Sequence, residues 1–218
     1  MSNPAVKQIL DAVVNGRVEE APGFVKEAMD QGISVDEILK KGLIAAMDFV
    51  GERFGEGEIF IPQVLWSAKA MQASMDLLRP HLSSAGSKSM GRIVVGTAQG
   101  DIHDIGKNLV AIMLEGAGFE VIDLGVDVAA ERFVEQAAAN KADVIAISAL
   151  LTTTMGSMSD VVASLKEKGL SSIKVIVGGA PVDQAFCDEI GADAYGVDAM
   201  DGVRRVKELT QRLSSKVG

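Results

Sequence analysis

Arg92-Ile-Val-Val-Gly-Thr-Ala-Gln-Gly-Asp101-Ile-His103-Asp-Ile-Gly106 opens as a short apolar run and empties into a polar loop. The stretch Lys107–Glu115 that follows has helical spacing. Strand, loop and helix therefore succeed one another within about 25 residues, the grammar of a βαβ unit. The loop holds His103, one of two histidines in the chain, with Asp101 two residues before it and glycine on either side at Gly100 and Gly106. An imidazole on a strand-to-helix loop, with an acid able to hold one ring nitrogen, is the arrangement of a metal ligand or of a general base.

The same grammar repeats downstream. Short β-branched runs occur at Arg92–Gly96, Glu120–Leu124, Asp143–Ser148, Lys174–Val177 and Ala192–Val197. Helical patterns lie between them, near Lys107–Ala117, Ala129–Asn140, Ser157–Lys168, Pro181–Ile190 and Asp201–Leu213. Runs that are apolar throughout and alternate with helices indicate a doubly wound, five-stranded parallel sheet of Rossmann-like type over residues 90–218. Such sheets bind ligands at the carboxyl ends of their strands. The His103 loop, Ser148-Ala149-Leu150 and Gly178-Gly179 all follow strands, so all three belong to that rim. Gly106 and Ser148 are separated by 41 residues, and Leu150 and Gly178 by 27.

Residues 1–80 read as helices only. Ile9, Val13 and Val14 mark an apolar face stopped at Gly16. A second helix spans Val18–Asp30. Ser34 caps a third that carries Val35, Ile38, Leu39, Leu43, Ala46, Met47 and Val50, until Gly55 and Gly57 break it. Pro62 opens a fourth with Val64, Leu65, Ala68, Met71, Met75 and Leu78 inward. Four such helices make a small bundle. The expected class is α + α/β: a helical domain over 1–80, a linker over 81–89 within the polar segment PHLSSAGSKS (Pro80–Ser89), and the sheet domain over 90–218.

Composition narrows the function. Aliphatic and alanine residues dominate a chain that is 48% hydrophobic but 4% aromatic, which favours helices and parallel strands. A net charge of −9 argues against nucleic acid as a partner. No apolar run nears the ~20 residues of a membrane span, and Met1–Arg17 lacks the apolar core of a signal peptide. One cysteine, Cys187, suits a reducing compartment. A cytoplasmic protein with no nucleic-acid or membrane partner is expected. The ten methionines read mainly as core filling.

Taken jointly, Asp-x-His-x-x-Gly, then Ser-x-Leu, then Gly-Gly at these separations resembles cobalamin-binding domains. The segment FGEGEIFIPQV (Phe54–Val64) is similar to the cap bundle of methylcobalamin proteins, so the resemblance covers nearly the whole chain. With Gly178–Val182 (GGAPV), the chain looks most like stand-alone corrinoid proteins of methyltransferase systems, akin to the cobalamin module of methionine synthase. Leu150–Met155 (LLTTTM) is most similar to methylamine-type carriers.

The resemblance implies a base-off, His-on corrinoid with cobalt bound by His103. Asp101 would accept the other ring N–H, and Ser148 would extend the relay. Gly100, Ile102, Asp104, Ile105 and Gly106 would complete the loop beneath the ring. Leu150, Thr152, Gly178, Gly179, Tyr195 and Ala199 would border the nucleotide tail, with Thr152 read equally as a helix cap. Phe54 and Ile61, with Phe60 competing, would cover the upper face, and linker motion would uncover it. The implied partners are a cognate substrate methyltransferase, a second corrinoid-dependent methyltransferase acting on coenzyme M or tetrahydrofolate, and a reductive activase. The chain would be a subunit of an enzyme system and not a complete enzyme. Two other readings of the motif are a cobalamin-binding regulator and the small subunit of an adenosylcobalamin mutase. His81 reads as solvent-exposed, Cys187 as core, Asp104 as a helix start, and Trp66 as bundle packing or a partner contact.

Overall fold

A computed structural model describes residues 3–85 and 90–214. Two compact units emerge, Met1–Lys88 with Gly116–Gly118, and Ser89–Glu115 with Phe119–Gly218.

The first unit is helical. Helix α1 spans Pro4–Val14, and the Asn3 side chain caps it by accepting the Ala5 N–H at 3.0 Å. It stops before Gly16, whose backbone is left-handed (φ 63°) and lies so close to Trp66 that a Cβ there would sit 2.6 Å from Trp66 Cβ. Helix α2 is Ala21–Asp30, shorter at its start than the apolar spacing predicts. Pro22 explains this, because a residue without an N–H fits the first turn and not the second. Ser34 caps the next helix through the Glu37 N–H at 3.2 Å. That helix begins as α3 (Val35–Glu37), widens into a π-helical stretch over Ile38–Ile44, and continues as α4 (Ala45–Gly55). The apolar positions read from spacing are buried here from Ile38 through Leu39, Leu43, Ala46, Met47 and Val50, while Val35 at the start is half-buried.

Helix α5, Ile61–Ala85, differs from expectation in two ways. Leu65 is exposed, and the buried stripe is Val64, Ser67, Met71, Ser74 and Leu78, at intervals of three and four. The serines join it because their hydroxyls find backbone partners, Ser67 Oγ on the Val14 carbonyl at 3.1 Å and Ser74 Oγ on the Ala70 carbonyl at 2.8 Å. The helix also continues through Pro80 to Ala85, so His81–Ala85, read as linker, is helical, and residues 86–89 lie outside the described residues. Proline's fixed φ is compatible with a helix at the loss of one hydrogen bond, and the polar composition after it hid the extension. His81 is exposed on this helix. Trp66 is half-exposed with the Lys69 Nζ 4.7 Å from its ring centroid.

The second unit holds one parallel sheet. Its strands are β1 (Arg92–Thr97), β2 (Glu120–Asp123), β3 (Val144–Ser148), β4 (Lys174–Gly178) and β5 (Ala194–Gly196), in the order β2-β1-β3-β4-β5. The connecting helices are α6 (Ile105–Gly116), α7 (Ala130–Ala139), α8 (Gly156–Glu167), α9 (Gln184–Ile190) and the closing α10 (Ala199–Ser214). Successive strand residues point to opposite faces. Val94, Ile145, Ile147, Val175 and Val177 meet α7, α8 and α9 through Phe133, Val134, Val161, Val162 and Cys187. Their neighbours Ile93, Val95, Val144 and Ile176 point the other way and are buried too. Two covered faces explain why the strands read as unbroken apolar runs. Cys187 is core, and its burial pushes the thiol pKa up. Among the described residues no helix is long and apolar enough to cross a membrane.

The chain leaves β1 for β2 on one side, then crosses back to β3 on the other. The switch point of the sheet is therefore between β1 and β3. Thr97, Ser148, Gly178 and Gly196 pair in one row across the sheet, so the loops that follow these strands start level. Phe133 is the largest wholly buried side chain of the core. Phe133→Ala is expected to cost about 3–5 kcal/mol, read as a lowered urea midpoint with an unchanged slope.

Candidate functional site

β1 ends at Thr97, and Gly100 turns the chain in a left-handed conformation (φ 84°) that brings Asp101 inward. Asp101 is wholly buried. Its Oδ1 accepts the His103 backbone N–H at 3.0 Å and lies 2.8 Å from His103 Nδ1. Its Oδ2 accepts the Leu150 N–H at 2.7 Å, the Leu151 N–H at 3.2 Å and the Thr154 hydroxyl at 2.9 Å. Burial by itself pushes this carboxyl up. The hydrogen bonds from the His103 amide, the Leu150 amide, the His103 ring and the Thr154 hydroxyl outweigh it and hold the group well below the usual carboxylate range. Asp101 is thus an anion at neutral pH, held by the loops after β1 and β3, the two strands at the switch point.

The carboxylate decides the state of the imidazole. An anion with no proton to give makes Nδ1 the protonated nitrogen, so in the neutral ring the lone pair is on Nε2. The His103 side chain is 47% exposed, which leaves the ring open to a ligand. Among the described residues no group of three or more His, Cys, Asp or Glu side chains could hold a bare metal ion. One imidazole donor fits a metal that brings its other ligands with it, as in a macrocycle.

Around His103 the surface is apolar. Ile102 and Ile105 flank it at 72% and 75% exposure. Val126 after β2, Leu150 and Leu151 after β3, and Val197 after β5 are exposed on the same rim. Large apolar side chains gathered at the carboxyl edge of a parallel sheet mark a surface for a flat apolar partner. At Gly106 a Cβ would meet no atom within 4 Å, so close packing of α6 does not explain this glycine, and the space beside it is open.

The other sequence candidates fall as follows. Asp104 immediately precedes α6, its carbonyl accepting the Asn108 N–H at 2.8 Å, as a helix start does. Ser148 ends β3 in the row described above, but the hydroxyl that reaches Asp101 belongs to Thr154 and not to Ser148. Thr154 was missed because it is the third of three identical residues, and only the turn Thr152–Thr154 distinguishes them: Thr154 is buried while Thr152 is exposed. Thr152 is not the helix cap of the alternative reading, since Leu151 occupies the cap position without a side-chain bond.

Gly178 and Gly179 have a reason in the protein itself. A Cβ at Gly178 would lie 3.1 Å from the Gly196 carbonyl oxygen, and one at Gly179 (φ 120°) only 1.8 Å from the Ala149 carbonyl oxygen. Tyr195 lies half-buried in β5 opposite Val177, and Ala199 begins α10. Phe54 and Ile61 belong to the helical unit, Phe54 half-buried near the end of α4, Ile61 exposed at the start of α5 beside exposed Phe60. Val126 escaped the sequence reading because an isolated valine after a strand carries no signal, and Val197 because it read as the end of the fifth strand, which closes one residue earlier at Gly196.

Comparison with known proteins agrees with this fold. Residues 91–204 match a family model described as a B12 binding domain, and residues 5–79 match a second model with the same description. Dimethylamine corrinoid protein 3 of Methanosarcina acetivorans is 45% identical over 93% of this chain and 95% of its own length. Trimethylamine corrinoid protein 1 of the same organism is 46% identical over 91% and 94%. A chain of the crystal structure of the methanol:cobalamin methyltransferase complex of Methanosarcina barkeri superposes with a TM-score of 0.88 at 30% identity, covering 97% of this chain and 81% of that one. The fold and site define a B12-binding protein. The chain belongs to the corrinoid-protein family of the methylamine and methanol methyltransferase systems, and its cofactor is a cobalamin or related corrinoid.

Gly179→Ala is expected to break the junction of β3 and β4, since the neighbouring atom is backbone and the φ is left-handed. A loss of roughly 2–4 kcal/mol in chemical denaturation, even without corrinoid, would mark the glycine as structural.

Proposed function

We infer that this protein is the methyl carrier of a corrinoid-dependent methyltransferase system and holds its corrinoid base-off and His-on. When bound, the cobalt supplies the chemistry, accepting a methyl group from one methyltransferase reaction and yielding it in another. The observation that carries the reading is His103 Nδ1 against the buried Asp101 carboxylate at 2.8 Å, which leaves Nε2 as the ring's lone-pair donor.

The chain's own residues bind and tune. His103 Nε2 would be the axial ligand, and Asp101 would raise its basicity and fix its tautomer. Thr154 takes the hydroxyl role that resemblance gave to Ser148, with Ser148 itself left to border the cofactor. Gly100, Ile102, Asp104, Ile105 and Gly106 would line the lower face, their apolar members excluding water. Leu150, Thr152, Gly178, Gly179, Tyr195 and Ala199 would border the tail. Phe54 and Ile61 would contribute an apolar cover that keeps water from the reactive group.

A partner methyltransferase is in keeping with the relative found in a methanol:cobalamin methyltransferase complex. A second methyltransferase, with coenzyme M or tetrahydrofolate as acceptor, and a reductive activase complete the proposed cycle. The curated relatives are dimethylamine and trimethylamine corrinoid proteins, which favours a methylamine-derived methyl group. The single cysteine is in keeping with a cytoplasmic setting. None of these relatives is a regulator or a mutase, and neither alternative is favoured.

Reconstitution with cobalamin followed by reduction to Co(II) tests the reading. The electron paramagnetic resonance spectrum should show splitting by one axial nitrogen, altered by heavy-nitrogen histidine labelling. His103→Ala should keep the fold, lose that splitting and weaken corrinoid binding by at least about tenfold. Splitting that ignores the label would mean the corrinoid's own base is still bound and would overturn the proposal. Asp101→Asn should shift the ligation balance and also destabilise the protein, because the amide NH2, whichever way it is turned, would face donors now satisfied by oxygen. A loss of about 1–3 kcal/mol per unsatisfied group is expected in urea denaturation.

A further inference from the structure

Apart from Val126 on the rim, the connection from β2 to α7 has no part in the site as described, yet it is bonded repeatedly to the His103 loop. The Thr97 N–H donates to the Gly125 carbonyl at 3.1 Å, and the Val128 N–H returns to the Thr97 carbonyl at 3.2 Å. The Asp127 N–H donates to the Asp101 carbonyl and to Thr97 Oγ1, both at 2.9 Å. Thr97 Oγ1 in turn donates to the Asp101 carbonyl at 2.5 Å. Asp127 Oδ1 accepts the Gly100 N–H at 2.6 Å.

Asp127 also has a left-handed backbone (φ 52°), a conformation that glycine takes without cost and other residues rarely adopt. Such a residue persists where the surrounding bonds over-determine it. The base of the connection is pinned as well. The buried Lys107 ammonium pairs with Asp123, whose other oxygen accepts the Gly125 N–H at 2.8 Å.

We propose that Asp127 is a positioning residue for the axial ligand: it fixes the backbone of Asp101 and so sets the direction in which His103 presents Nε2. The inference rests on His103 being that ligand. Asp101 is held at two ends. Its carboxylate is anchored from the β3 side by Leu150, Leu151 and Thr154. Its main chain is anchored from the β2 side by Asp127, on the carbonyl of Asp101 and on the amide of the residue before it. His103 follows two residues later and takes its bearing from both anchors. Without the second, the Asp101 main chain keeps only Thr97 Oγ1 on its carbonyl and its own N–H on the Ala98 carbonyl at 3.0 Å, and the imidazole can turn while its hydrogen bond to the carboxylate survives. The carboxylate at position 127 is what glycine, the easier residue for that backbone, cannot supply.

The test uses the full chain reconstituted with cobalamin, in wild type, Asp127→Gly, Asp127→Asn and Thr97→Val. Asp127→Gly suits the backbone and removes the acceptor. It should fold and bind cobalamin within a few-fold of wild type. Its ratio of His-on to His-off Co(II), read from the nitrogen splitting, should fall about tenfold, the scale of one charge-assisted hydrogen bond. Asp127→Asn keeps both the acceptor oxygen and a tolerance for left-handed backbone, and should restore the ratio. A merely structural role would lower the melting temperature of Asp127→Gly and leave the ratio unchanged, which overturns the inference. If Asp127→Gly does not fold, Thr97→Val decides. It removes the hydroxyl between Asp127 and Asp101, and a wild-type ratio there refutes the proposal. Loss of the label-sensitive splitting in the wild type would instead sink the ligand assignment itself.

Discussion

A carboxylate with no exposed surface has to be surrounded by donors, and Asp101 draws its donors from two separate loops. An isolated buried anion is costly by far more than a typical protein's net stability. Five hydrogen bonds to the two oxygens of Asp101 remove that penalty, three of them from backbone amides that cannot turn away. The bonds from Leu150, Leu151 and Thr154 couple the His103 loop to the segment after β3. The loop therefore cannot adopt its conformation unless the ends of β1 and β3 lie side by side.

Sheet order supplies that adjacency. With β1 between β2 and β3, the loop leaving β1 is bordered on both sides. The β3 side supplies donors to the Asp101 carboxylate, and the β2 side supplies Asp127 to the Asp101 main chain. A β-strand at a sheet edge would give the loop one neighbour and one anchor. The level row Thr97, Ser148, Gly178 and Gly196 serves the same end, since loops that start level share one rim. Gly179 keeps that row tight, its α-carbon lying where a side chain would strike the Ala149 backbone.

What could be read from the sequence follows from what residue type alone reveals. The inner strands β1, β3 and β4 were legible because both faces are buried, the edge strands β2 and β5 through the alternation with helices around them, and His103 with Asp101 because that pair has few uses on such a loop. The Gly-Gly pair was legible as a position but not in its cause, since the atom that forbids a side chain there comes from Ala149, far away in the chain. Thr154 and Asp127 were not legible. One hides among like residues, and the other reads as an ordinary turn acid until its partners Gly100 and Asp101 are seen. In the helical unit the π-helical stretch and the buried serines escaped for the same reason. A pattern of 3.6 residues describes a regular helix, whereas these features answer to particular neighbours.

The saturation of Asp101 also decides its own charge. Both Asp101 oxygens already accept from backbone, ring or hydroxyl donors, and the carboxyl is held well below its usual range. Protonating it would set an acid proton against those donors. Asp101 is therefore a fixed negative charge beside the ring. A carboxylate that stays ionised keeps Nδ1 as the hydrogen-bonded nitrogen and leaves Nε2 as the ring's donor towards a ligand. The buried network thus fixes the tautomer without any rearrangement of its own.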